Sequence, residues 1–167
     1  MPVRVKLQAA SAADVSDLVS LHIAASRQLT AQYGKGPWSG GVTEKGVLFA
    51  MRNSTVYVAR HRGRLMATLT LRTKKPWAID KKYFAASQRP LYLVGMAVSP
   101  DAQRQGVGRL CINEACRIAR KWPGDAIRLD AWDAEAGAGE FYRKCGFREV
   151  GRATYRNAPL IYFEMLL

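Results

Sequence analysis

No stretch of this 167-residue sequence stays apolar long enough to cross a membrane as a helix. The longest such run, Leu91 to Val98, falls well short of the roughly 18 residues a span needs. The opening Met1-Pro2-Val3-Arg4 lacks the apolar core of a signal peptide, so a cytoplasmic setting is expected. Cysteine is scarce: Cys111, Cys116 and Cys145 have neither the even count nor the clustering of a disulfide framework, and no C-x-x-C pair suggests zinc. Reduced, buried thiols are expected, and no metal. Acidic side chains are few, 13 against 26 Lys and Arg, which leaves a formal net charge of +13. Such a surface draws polyanions: nucleic acid, an acidic substrate or a phosphate-bearing cofactor, and charge alone does not choose among them. There is no internal repeat, low-complexity tract or linker, and 49% hydrophobic content is ample for a core, so residues 1–167 are read as one domain.

What is present is a clear alternation of elements. Val3 to Leu7 reads as a strand, and Ser11 and Asp14 as the start of a helix. From Val15 the apolar positions Leu18, Val19, Ile23 and Leu29 continue that helix until Gly34-Lys35-Gly36-Pro37 breaks it. Thr43 is placed to cap a second helix running to about Arg52. Thr55 to Arg60 and Leu65 to Arg72 form an expected antiparallel hairpin around a basic turn. Residues 73–90 are irregular, and a loop of that length inside a domain is usually functional, here as a cover for a substrate pocket. Leu91 to Val98 reads as a central strand covered on both faces.

The chemistry is concentrated next. Gln103-Arg104-Gln105-Gly106-Val107-Gly108 opens an amphipathic helix with Val107, Leu110, Cys111, Ala115, Ile118, Ala119 and Trp122 on its apolar side. Glycines let a ligand approach the backbone, and the unpaired amides and positive dipole end of a helix favour a pyrophosphate. The spacing is neither the Walker pattern nor the dinucleotide fingerprint. Ala126 to Trp132 reads as a strand, parallel to its predecessor after the helical crossover. Ala138, Phe141, Tyr142 and Cys145 follow on one side of a short helix that Gly146 ends. Glu149 to Arg156 and Leu160 to Leu166, around Asn157-Ala158-Pro159, form a last hairpin.

The Q-x-x-G-x-G loop, the apolar strand before it, the strand after it and the string Phe141-Tyr142-Arg143-Lys144-Cys145-Gly146-Phe147 resemble, in order and spacing, the GNAT (GCN5-related N-acetyltransferase) superfamily. Gln103, Gly106 and Gly108 match its pyrophosphate loop position by position; the first 90 residues match by element order alone. The resemblance implies an α/β fold: a three-layer α-β-α sandwich around a mixed, largely antiparallel seven-stranded sheet whose fourth and fifth strands are parallel and splayed. It implies acetyl-CoA as cosubstrate, held by the backbone of Met96, Ala97 and Val98 and by the loop Gln103, Arg104, Gln105, Gly106, Val107, Gly108 and Arg109. The side chains of Arg104 and Arg109 either add charge-assisted contacts or are simply solvated.

In such an enzyme an amine attacks the thioester directly, a strand amide such as that of Ala97 stabilises the oxyanion, and Tyr142 protonates the departing thiolate. Tyr142 has a plainer reading as a core aromatic beside Phe141. The fourth strand has no acidic residue, so the general base falls to Asp130 or Asp133, acting through water; Asp130 has a plainer reading as the partner of Arg128. His22, inside the first helix, reads as structural or exposed. Tyr33, Trp38, Trp77 and Trp132 are candidates to line the acceptor pocket, or to anchor the loops they sit in.

The leading expectation is acetylation of a primary amine on a small molecule. The basic balance disfavours polyamines and favours an acceptor with a carboxylate or phosphate. A protein N-terminus or lysine is the alternative acceptor. A basic nucleic-acid-binding module is a second alternative, from Arg60-His61-Arg62-Gly63-Arg64 and the clusters Arg117-Arg120-Lys121 and Arg143-Lys144, without a recognised binding motif. Monomer and homodimer both remain open.

Overall fold

A computed structural model describes residues 3–167. Among the described residues seven strands form one sheet in the order β1-β2-β3-β4-β5-β7-β6, flanked by four α-helices. The chain divides into two compact units: Met1–Arg72 with Val94–Ala115, and Thr73–Leu93 with Cys116–Leu167.

The first unit begins with β1 (Leu7–Ala9) and α1 (Val15–Tyr33). The expected strand at Val3 to Leu7 lies further along, because its partners are fixed by β2: Leu7 opposes Ala59 and Ala9 opposes Tyr57. Ahead of α1 the Asp14 carboxylate accepts the Ser11 N–H at 2.8 Å. The helix stops at Gly34, whose φ of +81° suits a residue without a Cβ. Then α2 (Glu44–Asn53) starts at Thr43, whose hydroxyl accepts the Gly46 N–H at 3.1 Å. Strands β2 (Thr55–His61) and β3 (Arg64–Arg72) form the expected hairpin, turned by Arg62 and Gly63 in the left-handed region. Val56 and Val58 of β2 meet Val15 and Leu18 of α1 and Val47 of α2 in one apolar cluster. Arg60 ties the hairpin to α1 through Asp14 and Asp17, both at 2.7 Å.

Strand β4 (Pro90–Val98) and helix α3 (Val107–Lys121) contribute to both units. Leu91, Tyr92 and Leu93 are buried, but from Val94 onward the strand is partly exposed, so it is covered on both faces over its first half only. Gly95 has φ +60°, which breaks the regular pleat there. Helix α3 buries Val107, Cys111, Ala115 and Ala119 as expected, and also Ile112 and Cys116, while Trp122 stays 36% exposed.

In the second unit β5 (Ala126–Trp132) runs parallel to β4 over three pairs, Pro90 with Ala126, Leu91 with Ile127 and Tyr92 with Arg128. There the ladder ends, while β5 goes on pairing with β7 (Ala158–Leu166) as far as Trp132 and Leu160. Helix α4 (Gly139–Lys144) leaves Ala138 exposed and buries Gly139 instead, a shift of one residue from the expected stripe. Gly146 has φ +97°, as a left-handed terminator should. The turn from β6 (Arg148–Tyr155) to β7 falls on Arg156 and Asn157, both at positive φ, and not on Asn157-Ala158-Pro159. Pro159 lies within β7, next to the hairpin turn, where a missing N–H is tolerated.

Residues 73–90 are firmly packed in their unit. Ile79 is buried with Tyr92, Leu160 and Tyr162. The Tyr162 hydroxyl donates to the Ala78 carbonyl, and the Lys75 ammonium donates to the carbonyls of Pro76 and Ile79 at 2.9 and 2.6 Å. Arg128 pairs with Glu164, its opposite residue on β7, at 3.0 Å and does not pair with Asp130. Its other donors reach the Ala85 carbonyl at 2.7 Å and the Tyr92 hydroxyl at 3.4 Å. This buried pair therefore fixes the loop onto β5 and β7.

Candidate active site

In the first unit the segment from Met96 to Arg109 is built as a rigid frame around an exposed loop. The Ser99 N–H bonds to the Met66 carbonyl of β3 at 2.8 Å. Asp101 accepts from the Ser99 hydroxyl and pairs with Arg64 of β3; these two contacts, in that order, hold its carboxyl below the usual carboxylate range. Gln105 donates its side-chain amide to the Asp101 carbonyl at 2.9 Å. Gln103 donates to the Val98 carbonyl at 3.2 Å and to the Gln28 side chain of α1 at 2.8 Å. Its role in this structure is thus to join the end of β4 to α1.

Between these ties Arg104, Gln105 and Gly106 are exposed, and Arg104 and Gly106 both take left-handed conformations, φ +59° and +80°. The first helical bond of α3 runs from the Leu110 N–H to the Gly106 carbonyl at 3.1 Å. The amides of Val107, Gly108 and Arg109 consequently have no carbonyl four residues back within the helix. Alternating handedness before a helix start turns successive N–H groups toward one side, which is a fit for an oxyanion of a diphosphate. Arg109 is exposed in the first turn, as is Arg104 in the loop. Met96, Ala97 and Val98 lie partly exposed just upstream.

The remaining candidates of the first unit are at the end of α1. Trp38 donates its indole N–H to the Gly34 carbonyl at 2.9 Å and lies against Gly36 so closely that a Cβ there would strike its ring. It anchors the loop it belongs to. Tyr33 is 37% exposed, and its hydroxyl accepts from Gln32 at 3.1 Å. His22 is partly buried, and burial lowers its pKa.

In the second unit Tyr142 is buried, its ring edge-on to Phe141 and Phe147 and tilted against Phe163. Burial raises its pKa well above that of an ordinary phenol, and the charge of Asp130 raises it further. Asp130 is itself largely out of water, which raises its pKa. The structure thus brings Tyr142 and Asp130 into one electrostatic neighbourhood. Asp133 differs: its carboxylate is held by Arg152 at 3.1 Å, in a chain of charges that continues through Glu149 to Arg143. Trp132 and Asp133 line a cleft of about 410 Å³ with Glu135, Glu140 and Arg143. Trp77 is 83% exposed at the tip of its loop.

The buried Arg128 and Glu164 escaped sequence reasoning, since the two residues are distant in the chain and only the β5–β7 register makes them opposite. Burial pushes the Cys111 thiol up to about 12 and also raises Cys116, so neither is a thiolate. Among the described residues no group of three or more His, Cys, Asp or Glu side chains is arranged to hold a metal, and no helix is long and apolar enough to cross a membrane. Of the basic runs, Arg60, Arg64, Arg143 and Lys144 all have acidic partners.

Comparison with known proteins agrees with this geometry. Among curated proteins no sequence matches the chain. Solved structures share its fold widely. A GNAT-family acetyltransferase from Listeria monocytogenes superposes with a TM-score of 0.75 at 18% identity, over 98% of this chain and 95% of that one. The ribosomal-protein-S18-alanine N-acetyltransferase of Escherichia coli gives 0.70 at 15% identity, over 97% and 93%. The IAA acetyltransferase of Bacillus cereus gives 0.65 at 15% identity, over 98% and 99%. The sequence model described as Acetyltransferase (GNAT) family matches residues 23–147, which include the anion-binding loop and Tyr142. The chain belongs to the GNAT family of acetyltransferases.

Proposed function

We propose that the chain transfers an acetyl group from acetyl-CoA to a primary amine of a small molecule, by direct attack and without a covalent enzyme intermediate. The observation that carries this reading is the exposed loop Arg104–Gly106, with two left-handed residues leading into the unpaired amides of Val107, Gly108 and Arg109. In this reading those amides hold the diphosphate of the coenzyme, Arg104 and Arg109 add charge, and the backbone of Met96 to Val98 receives the pantetheine arm as an added strand. Gln103 fixes the loop with its side chain and belongs, with Gln105, to the segment that holds the coenzyme. The family match running through both units supports reading residues 1–167 as one catalytic domain, and the free cysteines support a cytoplasmic setting.

The amine lone pair attacks the thioester carbon, an amide such as that of Ala97 stabilises the oxyanion, the C–S bond breaks, and the thiolate takes the Tyr142 proton. With ordinary values a phenol near 10 and a thiol near 8.5 make that transfer uphill by about 2 kcal/mol. Burial makes Tyr142 a weaker acid, but a thiolate formed out of water is a stronger base for the same reason. Asp130 is the better-suited acceptor of the amine's proton, because its raised pKa brings it toward neutrality, while Asp133 is engaged by Arg152.

A small acceptor is supported by the polar side chains of β3, where Thr68 and Thr70 are buried and Arg72 is half-buried. The second reading, a protein N-terminus or lysine, is favoured by the near-complete exposure of Trp77 and by the name of the Escherichia coli neighbour. Thiol release from acetyl-CoA against a panel of amines and short peptides tests both. Release with small amines alone is the expected result; release with peptides alone replaces it with the second reading, and no release with any acceptor, together with no coenzyme A binding, ends the proposal.

A further inference from the structure

Strand β3 carries a charge that the fold does not use. Thr68 and Thr70 lie opposite Val58 and Val56 of β2, and these valines pack on α1 and α2. Directly opposed residues share a face, and side chains alternate along a strand. Thr68, Thr70 and Arg72 therefore lie on the sheet face that α1 and α2 cover. Thr68 and Thr70 are 1% and 6% exposed. Thr68 is satisfied, donating to the Tyr57 carbonyl at 2.8 Å. Arg72 is half-buried, and its buried Nε has no hydrogen-bond partner.

Beside this pair stands Gly95, where φ is +60° and a Cβ would come within 3.7 Å of the Thr70 hydroxyl. A side chain here would fill the space in front of Thr70. Elsewhere in the unit the partly buried arginine, Arg60, is neutralised by two aspartates. A guanidinium whose Nε is buried without a partner carries an uncompensated cost that a bound anion would remove.

We propose that Arg72, with Thr70 beside it, receives the carboxylate of the acceptor, so that the substrates are amines carrying a carboxylate. This rests on the acetyl-transfer reading above. One guanidinium balances one negative charge and offers paired N–H groups to two oxygens. A carboxylate matches that count, whereas a phosphate dianion leaves a charge over.

The test is binding of N-acetylglycine and of N-acetylglycinamide, its neutral isostere, by saturation-transfer NMR, alongside coenzyme A binding by calorimetry. The wild-type chain is expected to bind the carboxylate at least about tenfold tighter than the amide. Arg72→Met loses that preference, Arg72→Lys keeps part of it, Thr70→Val weakens it, and coenzyme A affinity stays unchanged in all three. Because Arg72 has no partner to leave behind, Arg72→Met melts no lower than wild type; a structural arginine would lower the melting temperature. Should Arg72→Met not fold, Arg72→Lys and Thr70→Val decide. Equal binding of the two probes to wild type, or a preference that survives Arg72→Met, overturns the proposal, and tighter binding of N-acetylaminomethylphosphonate overturns the choice of carboxylate. Loss of coenzyme A binding with the carboxylate preference intact points instead to failure of the acetyl-transfer reading.

Discussion

Replacing Gly106 by alanine separates the conformational role of the anion-binding loop from every other effect. At φ +80° the glycine sits in the left-handed region, and nothing lies within 4 Å of where a Cβ would be added. No clash arises, so only the backbone term remains: about 1–2 kcal/mol for an L-residue held left-handed. The more restricted unfolded chain returns about 0.4–1 kcal/mol of that. A net loss of about 1 kcal/mol can appear in two places. If the loop keeps its shape, stability falls, and the melting temperature drops by about 2–4 °C for a chain of this size. If the loop relaxes to right-handed geometry, stability is spared and coenzyme A affinity falls instead, about fivefold per kcal/mol. Calorimetric titration with coenzyme A and thermal unfolding, made on the same sample, read both. Gly106→Asn, a residue that tolerates the left-handed region, loses less in each. If the alanine variant melts like wild type and binds coenzyme A equally well, the left-handed geometry does not create the site and the reasoning is wrong.

Three further outcomes are expected. Tyr142→Phe lowers turnover by roughly 100-fold or more, the usual contribution of a positioned acid, with coenzyme A affinity nearly unchanged; steady-state kinetics that match wild type would make Tyr142 a core aromatic only. Asp130→Asn changes the pH profile of stability. Its folded pKa lies above the unfolded value of 3.8, so the folded state favours the protonated form, and stability from that preference is complete below 3.8 and lost as pH rises through the folded pKa. Urea titrations should therefore find the asparagine variant more stable than wild type at neutral pH, with the advantage vanishing toward pH 3; a constant difference across the range contradicts a buried, titrating Asp130. Arg128→Met leaves Glu164, 2% exposed, with only the exposed Arg148 at 4.0 Å as a counter-charge, and is expected to cost about 3 kcal/mol, the low end for a broken buried pair, and to open residues 84–89 to proteolysis; a loss below about 1 kcal/mol in chemical denaturation would deny the pair its role.

The legible parts of the fold were those fixed by local chemistry. The Thr43 cap, the apolar period of α1 and the alternation through Ala126–Trp132 each specify an element from within it. What escaped was set by distant partners. The first strand sits at Leu7–Ala9 because β2 fixes its register. The last turn sits at Arg156 and Asn157, where two adjacent left-handed residues match the strand twist, although Pro159 reads locally as a breaker. Along the strand Arg128 lies two residues from Asp130, whereas its partner faces it across the β5–β7 ladder.

At the candidate site the loop was legible because glycine spacing before a helix carries its own physics. The tasks of Gln103 and Trp38 were not, because both join elements far apart in sequence. Arg72 gave no signal at all. In sequence it is one more basic residue at the end of a strand, and only the packing of α1 and α2 on that face of β2 and β3 makes it an unbalanced charge.

Acetyl transfer by this chain depends, in the proposed reading, on the amides at the head of α3 gripping a diphosphate. Backbone amide shifts of the isotopically labelled chain, followed by NMR during titration with coenzyme A, test that most directly. The expected result is saturable shifts centred on Gln105 to Arg109, absent with dephosphorylated pantetheine. Shifts that leave those five amides unmoved while coenzyme A binds elsewhere, or no binding at all, would contradict it.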